Sequence, residues 1–466
     1  MNRQSGKQDI LERIFHLTDN KTNVKTEIIA GATTFMTMVY ILAVNPAILS
    51  EAGMDQGAVF TATALAALAG TLFMAAFSNY PFALAPGMGL NAYFAYTVVI
   101  NMGYTWEMAL AAVFIEGVLF ILLSLTNVRE AIFNAIPMSI KYAVSAGIGL
   151  FIAFIGLQNA GIVVENSSTL ISIFSFRDSL ADGTFSSAGI TVLLGLLGIL
   201  LLAVLLVRKV KGAILWGMLL IWLLGILCQL TGLYQPNAEL GFYSLLPDFS
   251  GGIAIPDMSP TFLKLDFSEI SSLDFWVVVF AFLFVDIFDT LGGLMGIGSQ
   301  AKMLDEQGKL PKIKGALLAD ALATTVGALF GTSTTTTYAE SATGVAEGGR
   351  TGLTGVVTAV LFGLSLFLSP IFLGIPSFAT APALIMVGFM MMSSVTKIPL
   401  HDYAEAIPAF ICLIAMPFFY SISEGIALGI LFYVGIHLFT GQAKRKKISV
   451  MMYGLAVIFL LKYIFI

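Results

Sequence analysis

The chain has 466 residues, 58% of them hydrophobic and only 11% charged, with a formal net charge of -5. A soluble protein of this length could not hide so much apolar surface, and about a quarter of its residues would be charged. The composition points to a polytopic helical membrane protein, and no basic stripe on a soluble domain speaks for nucleic acid as a partner.

The first 27 residues are polar and charged and show no cleavable signal peptide, so the first span is expected to target the chain. Apolar runs of about 20 residues then recur, each able to cross about 30 Å of hydrocarbon as a helix. The predicted spans are 28–50, 57–79, 87–100, 107–126, 140–161, 188–207, 212–232, 274–297, 315–331, 338–346, 352–373, 380–396, 404–420 and 422–440. They number fourteen, and several are short. Residues 233–273, with Pro, Asp and Ser throughout, form the longest polar connection and read as an extracellular loop or small cap. The last apolar run, 448–466, reads either as one more crossing or as an interfacial helix. Cys228 and Cys412 fall in apolar spans and read as small packing residues, not a disulfide framework or metal site. His16, His401 and His437 are scattered at polar edges without ligand spacing. With no HExxH and no Walker motif, neither a metal nor any other cofactor is expected.

Basic residues orient the spans. With the N-terminus inside and strict alternation, the inside holds Arg3, Lys7, Arg13, Lys21, Lys25, Arg129, Lys141, Arg208, Lys209, Lys211, Lys302, Lys309, Lys312, Lys314, Arg350, Lys397 and Lys444 to Lys447. That is 20 of the 23 Lys and Arg; Arg177 and Lys264 fall outside and Lys462 in the tail run.

The halves repeat. "FTATALAALAGTLF" (60–73) laid on "LLADALATTVGALF" (317–330) pairs Ala62 with Ala319, Gly70 with Gly327 and Phe73 with Phe330, among others. Each stretch is followed at once by an interrupted span, "YPFALAPGMGLNAYF" in one half and "GTSTTTTYAESATG" in the other. The two run in opposite directions in this topology, which suggests an inverted repeat of seven plus seven spans.

In the first interrupted span an extended piece, Phe82 to Ala85, precedes Pro86-Gly87 and a half-helix starting near Met88. In the second, Thr332 to Thr337 is a row of hydroxyl residues, all but Ser333 β-branched, that favours a strand, with a half-helix beginning near Tyr338. Extended backbone at membrane depth must be buried in protein or line a cavity. The two strands could pair with each other, so that each half-helix aims its N-terminal N–H groups at the midplane. Paired breaks at matched places point to a transporter's binding site; the bland alternative is a pair of packing kinks.

Intramembrane acids sharpen this reading. Asp286 and Asp289, three apart, share one helix face, Glu340 opens the second half-helix and Asn91 lies in the first turns of the other. No Lys or Arg lies at mid-membrane in the fourteen spans. Such a carboxylate must be protonated, hydrated or bound to something, which fits a proton-coupled site for a polar solute. Asp289 could instead accept backbone N–H bonds from the strands, and Asn91 could be a half-helix cap. Asp320 and Glu116 read as structural or gating groups.

With these residues in view, the chain resembles the nucleobase:cation symporter-2 group, and within it the AzgA-like adenine/guanine/hypoxanthine permeases. The likeness is carried by "AGATTFMTMVYILAVNP", "ALAPGMGLNAYF", "VDIFDTLGGLMG", "GTSTTTTYAESATGV", "TAPALIMVGFMMM" and "EAIPAFICLIAMPFFYSISEGIALG". It implies a substrate-carrying core from residues 28–126 and 274–373 and a gate from 127–232 and 374–440. The cytoplasmic segment 1–27, the extracellular loop 233–273, and a basic linker with hydrophobic helix, 441–466, complete the chain. By residue match the resemblance puts substrate determinants at Asn91, Asp286 and Glu340. Supporting or coupling positions are Asp289, Asp320, Gly87, Gly89 and Thr337. It implies a plasma-membrane permease that takes up a purine nucleobase with protons, hypoxanthine and guanine being favoured. An adenine permease and sodium coupling are the alternatives, and a homodimer is left open. Two rivals fit less well. An anion carrier would want a positive charge where this chain has carboxylates. A membrane enzyme using Asp286 and Asp289 leaves the double repeat unexplained.

Overall fold

A computed structural model describes residues 10–125, 136–237, 240–247, 254–300, 303, 310–441 and 448–465. Arg3, Lys7, Arg129, Lys302, Lys309 and Lys444 to Lys447, used above for orientation, lie outside the described residues. Among the described residues ten helices are long and apolar enough to cross a membrane. The chain divides into two compact units, one of residues 1–126, 211–215 and 248–373, the other of 127–210, 216–247 and 374–466.

The first unit begins with α1 (Val24–Met38) and α2 (Ile41–Glu51), a single apolar span broken at Val39-Tyr40. Pro46 lies inside α2, where its missing N–H weakens the helix ladder. At the break itself Leu42 and Ala43 donate to Val39 and Tyr40, three residues back and not four. After α3 (Gln56–Ser78) come β1 (Leu84–Pro86) and the half-helix α4 (Met88–Ala92), which widens into a π-helix over Tyr93–Asn101. Then follow α5 (Trp106–Leu125), and, from the second half of the chain, α6 (Leu273–Gln300), α7 (Ile313–Phe330), β2 (Thr335–Thr337), the half-helix α8 (Ser341–Ala346) and α9 (Gly352–Ser365).

The two strands form one antiparallel pair in which Leu84 faces Thr337, Ala85 faces Thr336 and Pro86 faces Thr335. The pairing runs past both ends, with Gly87 N–H on Thr334 O at 2.9 Å and Tyr338 N–H on Ala83 O at 3.0 Å. The second half-helix therefore starts not near Tyr338 but at Ser341, because Tyr338 still spends its N–H on the ladder. The outer edges are closed by threonines of the long helices. Thr71 of α3 accepts Leu84 N–H at 2.9 Å, and Thr324 of α7 donates to Thr335 O at 3.0 Å. The matched glycines make room for this sheet. A Cβ on Gly70 would meet Ala323 Cβ at 2.7 Å and Leu84 Cβ at 3.3 Å, and one on Gly327 would meet Thr335 Oγ1 at 2.8 Å.

Glu27 of α1 is fully buried and caps α9. Its carboxylate accepts Arg350 N–H at 2.9 Å, Thr354 N–H at 3.1 Å and the hydroxyls of Thr351 and Thr354 at 2.9 and 2.6 Å. An acidic group at a helix N-terminus satisfies N–H groups that have no partner within the helix and complements the dipole.

The second unit contains α10 (Met138–Asn159), a hairpin of β3 (Val163–Asn166) and β4 (Leu170–Ile173), and α11 (Ile190–Val207). It also holds α12 (Ser377–Met392), α13 (Tyr403–Phe418), α14 (Ile422–Phe439) and α15 (Val450–Phe465). Gly149 of α10 and Gly388 of α12 meet backbone to backbone, since a Cβ on either would lie within 2.6 Å of the other's carbonyl oxygen. Cys412 is a free thiol buried against Gly429, and Cys228 is also free. His437 does not sit at a polar edge as its sequence position suggested; it is 0% exposed, covered by the start of α13. The tail run is the helix α15, whose Tyr463 hydroxyl reaches the Glu424 carboxylate at the start of α14. It therefore lies antiparallel along α14 and buries Met452, Leu455, Ala456 and Phe459.

Candidate functional site

The strand pair brings the starts of both half-helices to one place in the first unit. Gly87 precedes α4 in extended backbone, and Glu340 occupies the N-cap position of α8. Gly87 fits because a Cβ there would lie 2.7 Å from Thr336 Cγ2. That phantom Cβ would also sit 3.8 Å from Asp289 Oδ2, so Asp289 borders the first half-helix. Gly89 is buried in the first turn of α4.

Glu340 and Asp289 are both partly exposed. The Tyr338 hydroxyl donates to Pro86 O at 2.6 Å. Tyr40, at the break in the first span, donates its hydroxyl to Glu340 Oε1 at 2.8 Å. Two partly exposed acids, two buried tyrosines and two half-helix N-termini thus lie together. Such a set can hold a flat polar solute through donors to the carboxylates and acceptors to the N–H groups.

Asp286 takes a different place. It is 0% exposed, and its Oδ1 lies 3.1 Å from Thr290 Oγ1. The same hydroxyl lies 2.7 Å from Asp320 Oδ2 and 2.9 Å from Thr336 Oγ1. Thr337 donates to Asp320 Oδ1 at 3.2 Å. Asp286, Asp320 and the second strand are therefore joined through one threonine. The shared helix face predicted for Asp286 and Asp289 puts them on one side of α6, yet one is sealed and the other is partly exposed.

Asn91 is also fully buried; its Oδ1 accepts the Ser333 hydroxyl, which ties α4 to the approach of the second strand. Thr334 donates to Glu116 Oε2 at 3.4 Å. Asn45, not singled out by the sequence, donates to Thr63 Oγ1 at 2.7 Å and Thr332 Oγ1 at 2.9 Å. Tyr40, Thr290 and Thr336 also escaped the sequence reading. The signal for Tyr40 was a lone phenol six residues before an intrahelical proline. Thr290 and Thr336 sit in runs too rich in hydroxyls to stand out.

The fold and this constellation define a helical membrane transporter with two interrupted spans meeting at a buried strand pair. The chain matches the Permease family (Xan_ur_permease) over residues 25–428 and belongs to it, the nucleobase:cation symporter-2 group, which is a family of permeases and not of enzymes. Among its relatives, the guanine/hypoxanthine permease PbuO of Bacillus subtilis is 45% identical over 453 residues, covering 96% of this chain and 99% of the relative. The adenine permease AdeP of Escherichia coli is 41% identical over 463 residues, covering 99% and 98%. The transmembrane domain of a cyanobacterium bicarbonate transporter, BicA, has the same fold, with a TM-score of 0.61 at 15% identity over 88% of this chain and 97% of that one.

Proposed function

We propose that this chain takes up a purine nucleobase, hypoxanthine or guanine ahead of adenine, together with a proton, across the plasma membrane by alternating access. In this reading residues 28–126 and 274–373 carry the base, and 127–232 and 374–440 gate it. The N-terminus is cytoplasmic, and the spans form two inverted repeats of seven. The names of the two bacterial relatives, one for guanine and hypoxanthine and one for adenine, support a purine.

The observation that carries the substrate reading is the Tyr40 hydroxyl on Glu340 Oε1. A carboxylate supplied with a donor needs no proton of its own, and an ionised carboxylate only accepts. Guanine offers N1–H and a 2-amino group side by side, and hypoxanthine offers N1–H, so both complement it. Adenine offers a donor beside a bare N1 and would need Glu340 protonated. The half-helix N–H groups would meet O6 or N7. Asp289 borders the base, and Asn91 holds the first half-helix in place. Uracil and xanthine each turn an added carbonyl toward carboxylate oxygens.

Proton coupling is supported by a hydrogen count at Thr290. Its hydroxyl has one hydrogen but touches both Asp286 and Asp320. With both acids ionised, one contact is acceptor against acceptor; one added proton on either acid makes it a hydrogen bond. Sodium is the second reading, favoured by the buried hydroxyls of Thr332 to Thr337. The test is uptake of labelled hypoxanthine in cells expressing the chain, against a tenfold excess of each base, with and without a protonophore. Guanine should compete strongly, and uptake should rise on moderate acidification and fall with the protonophore. Inhibition by adenine with none by guanine overturns the oxopurine assignment, and transport that follows sodium and ignores the protonophore overturns the coupling.

A further inference from the structure

A second titratable cluster lies inside the second unit. Three helix ends converge there: the start of α10, the start of α13 and the end of α14. Glu405, in the first turn of α13, accepts the Ser139 hydroxyl on Oε2 at 2.5 Å and the Tyr433 hydroxyl on Oε1 at 3.1 Å. His437, in the last turn of α14, has Nε2 3.9 Å from Glu405 Oε1. The ring is 0% exposed and the carboxylate residue 9%.

The proton inventory of this pair follows from its partners. His437 Nδ1 lies 2.8 Å from the Tyr433 carbonyl oxygen. A carbonyl only accepts, so Nδ1 carries the hydrogen, and in a neutral ring Nε2 is a bare lone pair. That nitrogen is buried and makes no hydrogen bond among the described residues. It faces a carboxylate that already receives two hydroxyl donors. The neutral ring thus leaves two acceptors pointed at each other beside a buried negative charge, which is costly. One proton on Nε2 turns the 3.9 Å contact into an ion pair and makes the pair net neutral. The surroundings favour that form. An imidazolium at a helix C-terminus and a carboxylate at a helix N-terminus both align with the helix dipoles, and the ring stacks on Tyr433 with centroids 4.2 Å apart. Among the described residues, Lys141 on α10 and Asp402 at the cap of α13 are further charged groups on these helix ends. Tyr463 of α15 bonds Glu424 at the opposite end of α14.

We propose that Glu405 and His437 form a proton-binding site in the second unit, separate from the substrate site. The proton held on His437 Nε2 ties the end of α14 to the start of α13. The site does not depend on which base the chain carries.

The test uses the full-length protein in lipid nanodiscs with 15N-labelled histidine rings. The chain has only three histidines, and His16 and His401 are exposed. A His16→Asn, His401→Asn double variant therefore leaves His437 as the single signal without touching the site. On acidification the bare-nitrogen signal of Nε2 should be lost and replaced by two protonated ring nitrogens. In Glu405→Gln the amide can donate to Nε2 itself, so the ring should stay neutral over the same range. A His437 ring that stays neutral to the acid limit of the folded protein overturns the proposal. So does titration in Glu405→Gln that matches the parent. If Glu405→Gln does not fold, Ser139→Ala replaces it: it removes one donor from the carboxylate and should move the loss of the Nε2 signal to a different pH, while an unmoved transition overturns the proposal.

Discussion

The contact between Tyr40 and Glu340 can be tested by removing one oxygen. Tyr40→Phe keeps the ring in its fully buried place and deletes only the donor to Glu340 Oε1 at 2.8 Å. A hydrogen bond to a charged group contributes about 1.5–3 kcal/mol. If half of that supports the ionised carboxylate that the base meets, hypoxanthine binding weakens by about 1 kcal/mol, roughly fivefold, and by the whole amount roughly 10- to 150-fold. The direction of selectivity is the sharper signature. Without the tyrosine the ionised form of Glu340 loses a donor, so the protonated form, which complements adenine, becomes relatively more favourable. Labelled hypoxanthine uptake by the variant should show a raised KM, with adenine gaining potency as a competitor relative to guanine. Protein amount in the membrane is measured in parallel. An unchanged KM with an unchanged order of competitors would show that Tyr40 plays no part in holding Glu340 ready, and the argument for oxopurines from this contact would fail.

Glu340→Gln should abolish measurable uptake while the protein still reaches the membrane, whereas Asp289→Asn should be milder; near-normal transport by Glu340→Gln removes it from the site. Thr290→Val takes away the hydroxyl shared by Asp286 and Asp320, so uptake should lose most of its response to a protonophore; an intact response places the coupling proton elsewhere. Glu27→Ala strips the cap from α9 and leaves buried N–H groups unpaired, at a cost of about 3 kcal/mol, read as a lower melting temperature in detergent with no change in which base competes best. The antiparallel course of α15 along the membrane-length α14 predicts that α15 crosses too. Single cysteines at Ser449 and Ile464, in a chain freed of Cys228 and Cys412, should then react with an impermeant thiol reagent from opposite faces, and labelling of both from one face refutes the crossing.

The sequence by itself determined the class of the protein and the places of its two breaks. Apolar runs of membrane length follow from composition, and Pro86-Gly87 and the threonine row both disfavour a continuous helix. It also picked out the acids, because a carboxylate in an apolar run is conspicuous without any knowledge of its neighbours. Periodicity put Asp286 and Asp289 on one face of one helix and could go no further. Only the tertiary structure sealed Asp286 behind Thr290 while leaving Asp289 partly exposed, since Asp320 on another helix and Thr336 on the second strand meet that threonine. The donor to Glu340 comes from a residue 300 positions earlier, and Leu84 meets Thr337 across a comparable gap. His437 likewise read as a polar-edge residue until Glu405, brought from another helix end and bonded by Ser139, came to face it. Local pattern fixes what backbone can form and which way a side chain faces. What that side chain meets depends on segments hundreds of residues away, and at this site those meetings make Asp286 buried and leave Asp289 partly exposed.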